Sequence, residues 1–270
     1  MVNAPTGTAQ YLARFSEQSI PCNPYALTKL GIDRAHCSLK IEDYVILCAP
    51  FQLGFKKSIF MASLSAQELA FFQKYTNSTV GLSIAFNPYK KPEPVKFFIR
   101  SMLITIGKMK GRENVGLFVL EYKNSPDQMV DMMGSFLEHQ ERIKIQYDDY
   151  GKNNIRMTAE TSKMMGYNMY ATILNPNPQP RRIQIFNLST KAVEHLEASS
   201  APVRAYGTIV SYQFFFQKFR VSLTGTVQEA SVLPQGMVRT KSSLGLCPEL
   251  VEIIDDYWYN KKKQASLPLL

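Results

Sequence analysis

The sequence predicts a mainly β protein of two domains, and three observations carry that expectation. Short apolar runs rich in β-branched and aromatic residues recur along both halves of the chain. Asn, Pro, Gly or Ser bounds most of these runs, which is the chemistry of turns. At 270 residues the chain also exceeds the usual span of a single domain. Hydrophobic residues make up 45% and charged residues 20%, so each half has enough apolar material for a core without disulfide staples. Many short strands at this spacing close into barrels or stack as sandwiches.

In the front half, strands are expected in "CSLKIEDYVILCAP", "KSIFMASLS", "STVGLSIAF", "VKFFIRSMLITIGKMKG" and "NVGLFVLEYK", with "SAQELAFFQKY" as a short helix among them. Residues 126–140 change period. Pro126 follows Ser125 as a helix start, Asp127 sits in the first turn, and Met129, Met132, Met133, Phe136 and Leu137 recur at helical spacing, so a core-facing linking helix is predicted. The charged and amide-rich stretch 141–157, "ERIKIQYDDYGKNNIRM", reads as a lead-in linker. The domains are therefore placed at 1–140 and 141–270. Behind the linker, strands are expected in "MYATILN", "RRIQIFNLS", "KAVEHLEA", "YGTIVSYQFFFQ" and "KFRVSLTGTVQEA", with a turn at "PNPQP". A terminal helix closes the chain, with Pro248 in its first turn, Glu249 and Glu252 near the positive end and Lys261, Lys262 and Lys263 near the negative end.

Composition excludes several function classes. Cys22, Cys37, Cys48 and Cys247 form no C-x-x-C pair and have no His at ligand spacing, so reduced thiols without a metal are expected. The start, "MVNAPTGTAQYLARF", lacks a signal-peptide profile, and no run approaches the roughly 18 apolar residues of a membrane span. A cytoplasmic protein without a transmembrane segment is the expectation. His36, His139 and His195 lie in no nucleophile-elbow or metal-helix pattern, and no glycine-rich phosphate loop is present. The pairs Asp148–Asp149 and Asp255–Asp256 read as solvated positions. No enzyme, metal or cofactor is expected. Lys and Arg outnumber Asp and Glu 31 to 22, a formal charge of +9, which favours an anionic partner.

One constellation is more specific. Lys152 and Arg156 stand four apart in "KNNIR", and Asn187, Ser189 and Ala192 follow in "NLSTKA" where an apolar strand ends. A β-turn explains the second group most simply. Together the two groups resemble the PilZ pattern, R-x-x-x-R on a lead-in and (D/N)-x-S-x-x-G on a barrel. The resemblance covers residues 141–270, and the front half is similar to the PilZ-like domain that precedes a PilZ domain in spirochaete tandem proteins. It implies two PilZ-like six-stranded β-barrels in tandem, a linking helix and a C-terminal helix, with cyclic di-GMP as ligand. Arg suits that ligand because its planar fork pairs with phosphate or with guanine O6 and N7 and stacks on a base.

Three positions depart from the pattern. Lys152 keeps the charge of the first Arg without its fork. Asn187 offers one acceptor oxygen where Asp has two. Ala192 replaces Gly, and a φ > 0 there costs roughly 1 to 2 kcal/mol. Arg181 and Arg182 extend the basic rim or are solvated charges at a strand start. Arg204, Lys218 and Arg220 near "YQFFFQ" suit base stacking or, more simply, alternating strand faces. The resulting expectation is a cyclic di-GMP receptor that relays binding by domain reorientation to a protein of signalling or motility machinery, with no DNA partner. The alternatives are a degenerate PilZ adaptor that acts through protein contacts alone and a sequence-tolerant nucleic-acid binder.

Overall fold

The computed structural model describes residues 7–87, 92–174, 180–198, 200–217 and 219–265. It divides into two compact units, Met1–His139 and Gln140–Leu270. Both are built on antiparallel sheets, and the mainly β class predicted from the short apolar runs is the class observed.

The first unit contains α1 (Gly7–Phe15), β1 (Ser19–Pro21), α2 (Pro24–Leu30), β2 (Ile32–Ile41), β3 (Tyr44–Leu47), β4 (Ala49–Gly54), β5 (Lys57–Ser63), α3 (Ala66–Gln73), β6 (Thr79–Phe86), β7 (Val95–Lys108) and β8 (Val115–Tyr122). It also holds the start of α4 (Asp127–Tyr150). The sheet runs β1-β4-β5-β8-β7-β6-β2-β3, eight strands in pairing order. β3 and β4 are separated only by Cys48, whose N–H donates to Cys37 O at 3.1 Å and so extends the β2–β3 ladder. Since β4 pairs with β5, this bent stretch links β2 to β5 and rolls the sheet into a ring of six strands, with β1 added outside the ring on β4. Leu39, Ile41, Leu53, Phe60, Leu82, Leu103, Phe118 and Leu120 fill the interior with no exposed surface.

The second unit contains β9 (Ile155–Arg156), α5 (Ala159–Met165), β10 (Tyr167–Leu174), β11 (Arg181–Leu188), β12 (Ala192–Glu197), β13 (Ile209–Phe216), β14 (Phe219–Val232), β15 (Val238–Leu244) and α6 (Pro248–Ala265). Its order is β10-β13-β14-β15-β12-β11-β9, and an additional β10–β11 pairing closes six of these strands into a barrel. Ala171, Ile173, Leu188, Val193, Tyr212, Phe214 and Val227 point inward and are fully buried, joined by Leu250 and Ile254 of α6. Part of the expected turn "PNPQP" and Lys218 lie outside the described residues.

The lead-in linker expected at 141–157 is corrected by the structure. α4 runs on to Tyr150, so the first ten residues of that stretch are helix. The apolar stripe that begins at Met129, Met133 and Phe136 continues at helical spacing through Ile143, Tyr147 and Tyr150, interleaved with the charges that made the segment read as loop. Ile143 is buried; Tyr147 donates to Leu244 O at 2.7 Å and Tyr150 to Asp255 Oδ1 at 2.5 Å. Only Gly151–Asn154 connects the helix to β9. Three short helices, α1, α2 and α5, went unpredicted, although the last two carry their own signals. Asn23 and Thr158 cap their N-termini, and Gly31 (φ 64°) and Gly166 (φ 67°) end them in the left-handed conformation glycine tolerates.

This packing gives the first testable expectation. Ile143→Ala removes a buried side chain and should lower stability by about 2 to 4 kcal/mol in urea unfolding. A flexible linker position would change it by less than about 0.5 kcal/mol.

Candidate functional site

Strand register, more than sequence proximity, assembles the candidate site. On β11 the ladder to β12 pairs Ile185 with His195 and then Asn187 with Glu194, which leaves Phe186 as the extra residue of a β-bulge. A bulge re-aims the side chains that follow it. Ile185 and Leu188 point into the barrel, while Asn187 lies on its outer face. There Asn187 Nδ2 donates to Glu194 Oε2 at 2.5 Å. The two-residue strand β9 pairs Arg156 with Asn187, and the Arg156 guanidinium stands 5.1 Å from the centre of the Phe186 ring. Glu194 pairs in turn with Lys241 on β15, and Lys241 with Glu229 on β14.

The result is a single cross-strand row on the outer face of the second unit: Arg156, Asn187, Glu194, Lys241, Glu229. At about 4.8 Å between strands the row spans roughly 19 Å. Arg239, two residues along β15, makes an ion pair with Glu194. Asn154, Asn187, Glu194, Arg239 and Lys241 line a polar cavity of about 110 Å³. Burial alone pushes the Glu194 carboxyl up, but hydrogen bonds from Arg239 and Asn187 and the charges of Arg239 and Lys241 outweigh it and hold it below its ordinary value. The acid therefore stays ionised and fixes both Asn187 and Arg239. Among the described residues no group of His, Cys, Asp or Glu is arranged to hold a metal.

The residues expected from the motif divide into three groups. Arg156 and Asn187 are brought side by side, with the guanidinium exposed. Ser189 and Ala192 form the turn between β11 and β12. Ser189 is fully buried; its Oγ accepts from Lys191 N at 3.3 Å and Ala192 N at 3.0 Å, and its N–H donates to Ala192 O at 2.8 Å. Its hydroxyl thus serves the turn. Ala192 opens β12 and is not among the residues with positive φ, so the backbone cost expected for replacing Gly does not arise. Thr190 docks this turn on α4 by donating to Tyr147 O at 2.7 Å.

The third group stands apart from the row. Lys152 follows α4 and its Nζ bonds Asp149 Oδ1 at 3.1 Å. Arg181 and Arg182 start β11, roughly 17 to 20 Å along the strand from Asn187. Arg182 instead stands 5.4 Å from the Tyr170 ring centre. Arg204 is no surface cation: it is buried and forms a two-pronged ion pair with Glu197, which also contacts His195 Nε2 at 3.2 Å. Arg239, Lys241 and Glu194 went unnoticed in the sequence. The one signal available was the basic period-2 pair in "VRTKSSL", opposite to Val238, Thr240 and Ser242.

Residues 7–140 match the PilZN3 domain family. The first unit is a PilZN3 domain. No curated protein sequence matches the chain. Among solved structures, the chain is similar to the Borreliella burgdorferi PlzA protein in complex with c-di-GMP, at 16% identity and a TM-score of 0.43, covering 93% of this chain and 97% of that one. It is also similar to the Bacillus subtilis inhibitor of motility MotI/DgrA, at 10% identity and 0.30 over 88% and 100% of the two chains. YcgR of Escherichia coli in complex with c-di-GMP is similar at 10% identity and 0.30, over 90% and 92%.

Glu194 supplies a pH test with a definite sign. Its folded-state value is held below the ordinary 4.5, so its contribution is complete above about pH 4.5 and is lost as pH falls through the folded value. Unfolding free energy measured against pH should therefore drop less steeply below pH 4.5 in Glu194→Gln than in the parent protein.

Proposed function

We propose that the chain is a cyclic di-GMP receptor whose second unit holds the nucleotide on the outer barrel face. The observation that carries this reading is the pairing of exposed Arg156 with Asn187 at the head of a polar row that also contains Arg239 and Lys241. Arg156 supplies the planar fork for phosphate or guanine, with the Phe186 ring 5.1 Å from its guanidinium. Asn187, its amide hydrogen already given to Glu194, keeps its carbonyl oxygen for a guanine N–H. Arg239 and Lys241 offer the remaining positive charge to a dianion. Lys152, on the short connection after α4, reaches the ligand only by leaving Asp149, a surface pair worth about 0 to 1 kcal/mol.

Signal relay follows if the ligand prefers one arrangement of the PilZN3 unit and the barrel over another, because only differential affinity shifts such an equilibrium. A protein of signalling or motility machinery then reads the arrangement. The adaptor reading, in which the fold is kept and no nucleotide binds, is favoured by a specific feature: Ser189 is committed to its turn and Lys152 to Asp149.

Calorimetric titration with cyclic di-GMP distinguishes the two. Receptor function predicts saturable binding that Arg156→Ala weakens on the order of 100-fold, that Lys152→Arg strengthens, and that Ala192→Gly leaves unchanged. No heat from the folded parent protein would establish the adaptor.

A further inference from the structure

The outer sheet face of the PilZN3 unit carries a second surface that the nucleotide reading does not use. Register aligns two neighbouring rows across β7, β6, β2 and β3. The first is Phe98, Ser83, Ser38, Leu47; the second is Arg100, Gly81, Lys40, Val45. Phe98, Leu47 and Val45 are 67%, 73% and 65% exposed, although neighbouring large apolar side chains on a sheet face normally seek cover. Small residues form the floor between them. At Gly81 a Cβ would come within 2.6 Å of Phe98 Cζ, so the Phe98 ring lies over the glycine backbone.

Between Phe98 and Leu47, over Ser83 and Ser38, is a recess of about 380 Å³ bordered by Lys96 and His36. Three cations, Lys40, Lys96 and Arg100, stand on or beside the two rows, and none is ion-paired among the described residues. Asp33, a carboxylate beside the recess, is bound to His36 at 2.6 Å and also feels the charge of Lys96. Apolar walls, hydroxyl floor and unpaired positive rim together describe a receptor for a side chain flanked by acids.

We propose that this face docks an acidic segment of a partner protein, with one aliphatic or aromatic side chain seated between Phe98 and Leu47 and its carboxylates on Lys40, Lys96 and Arg100. A second copy of this chain is disfavoured because it would bring the same cations together. A bilayer presents no side chain to fill a recess. The buried anchor supplies affinity and the rim charges supply steering and orientation.

The test uses the full chain and fluorescein-labelled extended peptides in which Asp or Glu alternates with Leu, Ile or Phe, read by fluorescence anisotropy. Saturable binding is expected, weakened at least about tenfold by Phe98→Ser with Leu47→Ser, similarly weakened by Lys96→Glu with Arg100→Glu, and unchanged by Arg156→Ala. The charge pair provides an independent arm if the first variant fails a circular-dichroism melt. Four outcomes overturn the proposal: peptides with Ser in place of the apolar residues bind equally well; both variants bind as the parent does; phosphatidylserine vesicles or an oligonucleotide are preferred to the peptides; or sedimentation shows a dimer that the same variants dissolve.

Discussion

Closure of the sheets is the constraint on which both units depend. An open sheet leaves a row of unpaired backbone donors and acceptors at each edge, and rolling the sheet removes them. In the second unit β10 meets β11 through Ala171–Ile183, Thr172–Arg182 and Ile173–Arg181. In the PilZN3 unit the same end is reached by bending one stretch at Cys48, so that its first half pairs with β2 and its second with β5. Once a ring is closed, alternation along every strand is forced: one residue fills the barrel and the next faces outward.

That alternation explains where polar chemistry ends up. Along β12, Val193, His195 and Glu197 point inward and Glu194 outward. The inward acid is compensated inside the barrel. Burial pushes Glu197 up, but hydrogen bonds from His195 and Arg204 and the Arg204 charge outweigh it and keep it below its ordinary value. Removing one partner of such a pair is costly, typically about 3 to 5 kcal/mol, which gives Arg204 a structural reason to be where it is. The outward acid is free to organise Asn187 and Arg239, and the bulge at Phe186 sets the phase that puts Asn187 on the same side as Glu194.

Both candidate surfaces therefore arise from one physical device, a row of side chains read across strands at a fixed spacing. On the second unit the row alternates charge and amide and holds a polar cavity. On the PilZN3 unit the rows alternate large apolar, small and cationic residues and hold a recess with exposed aromatic and aliphatic walls. The first suits a compact dianion with hydrogen-bonding bases, the second an acidic chain with a single anchor. Neither surface needs the other's residues.

By itself the sequence determined the class of the protein, most of its strands and the terminal helix. These depend on local period and turn chemistry, which neighbouring residues carry. Tertiary structure decided the rest because it depends on register between distant strands. Arg239 and Lys241 join Asn187 only through ladders that link residues about fifty positions apart. Ser189 became a buried turn hydroxyl, and Arg181 and Arg182 fell at the far end of their strand, for the same reason. The helix through 141–150 was legible in its stripe of Ile143, Tyr147 and Tyr150, but interleaved charges matched the composition of a linker; packing on Leu244 and Asp255 is what makes those positions helical.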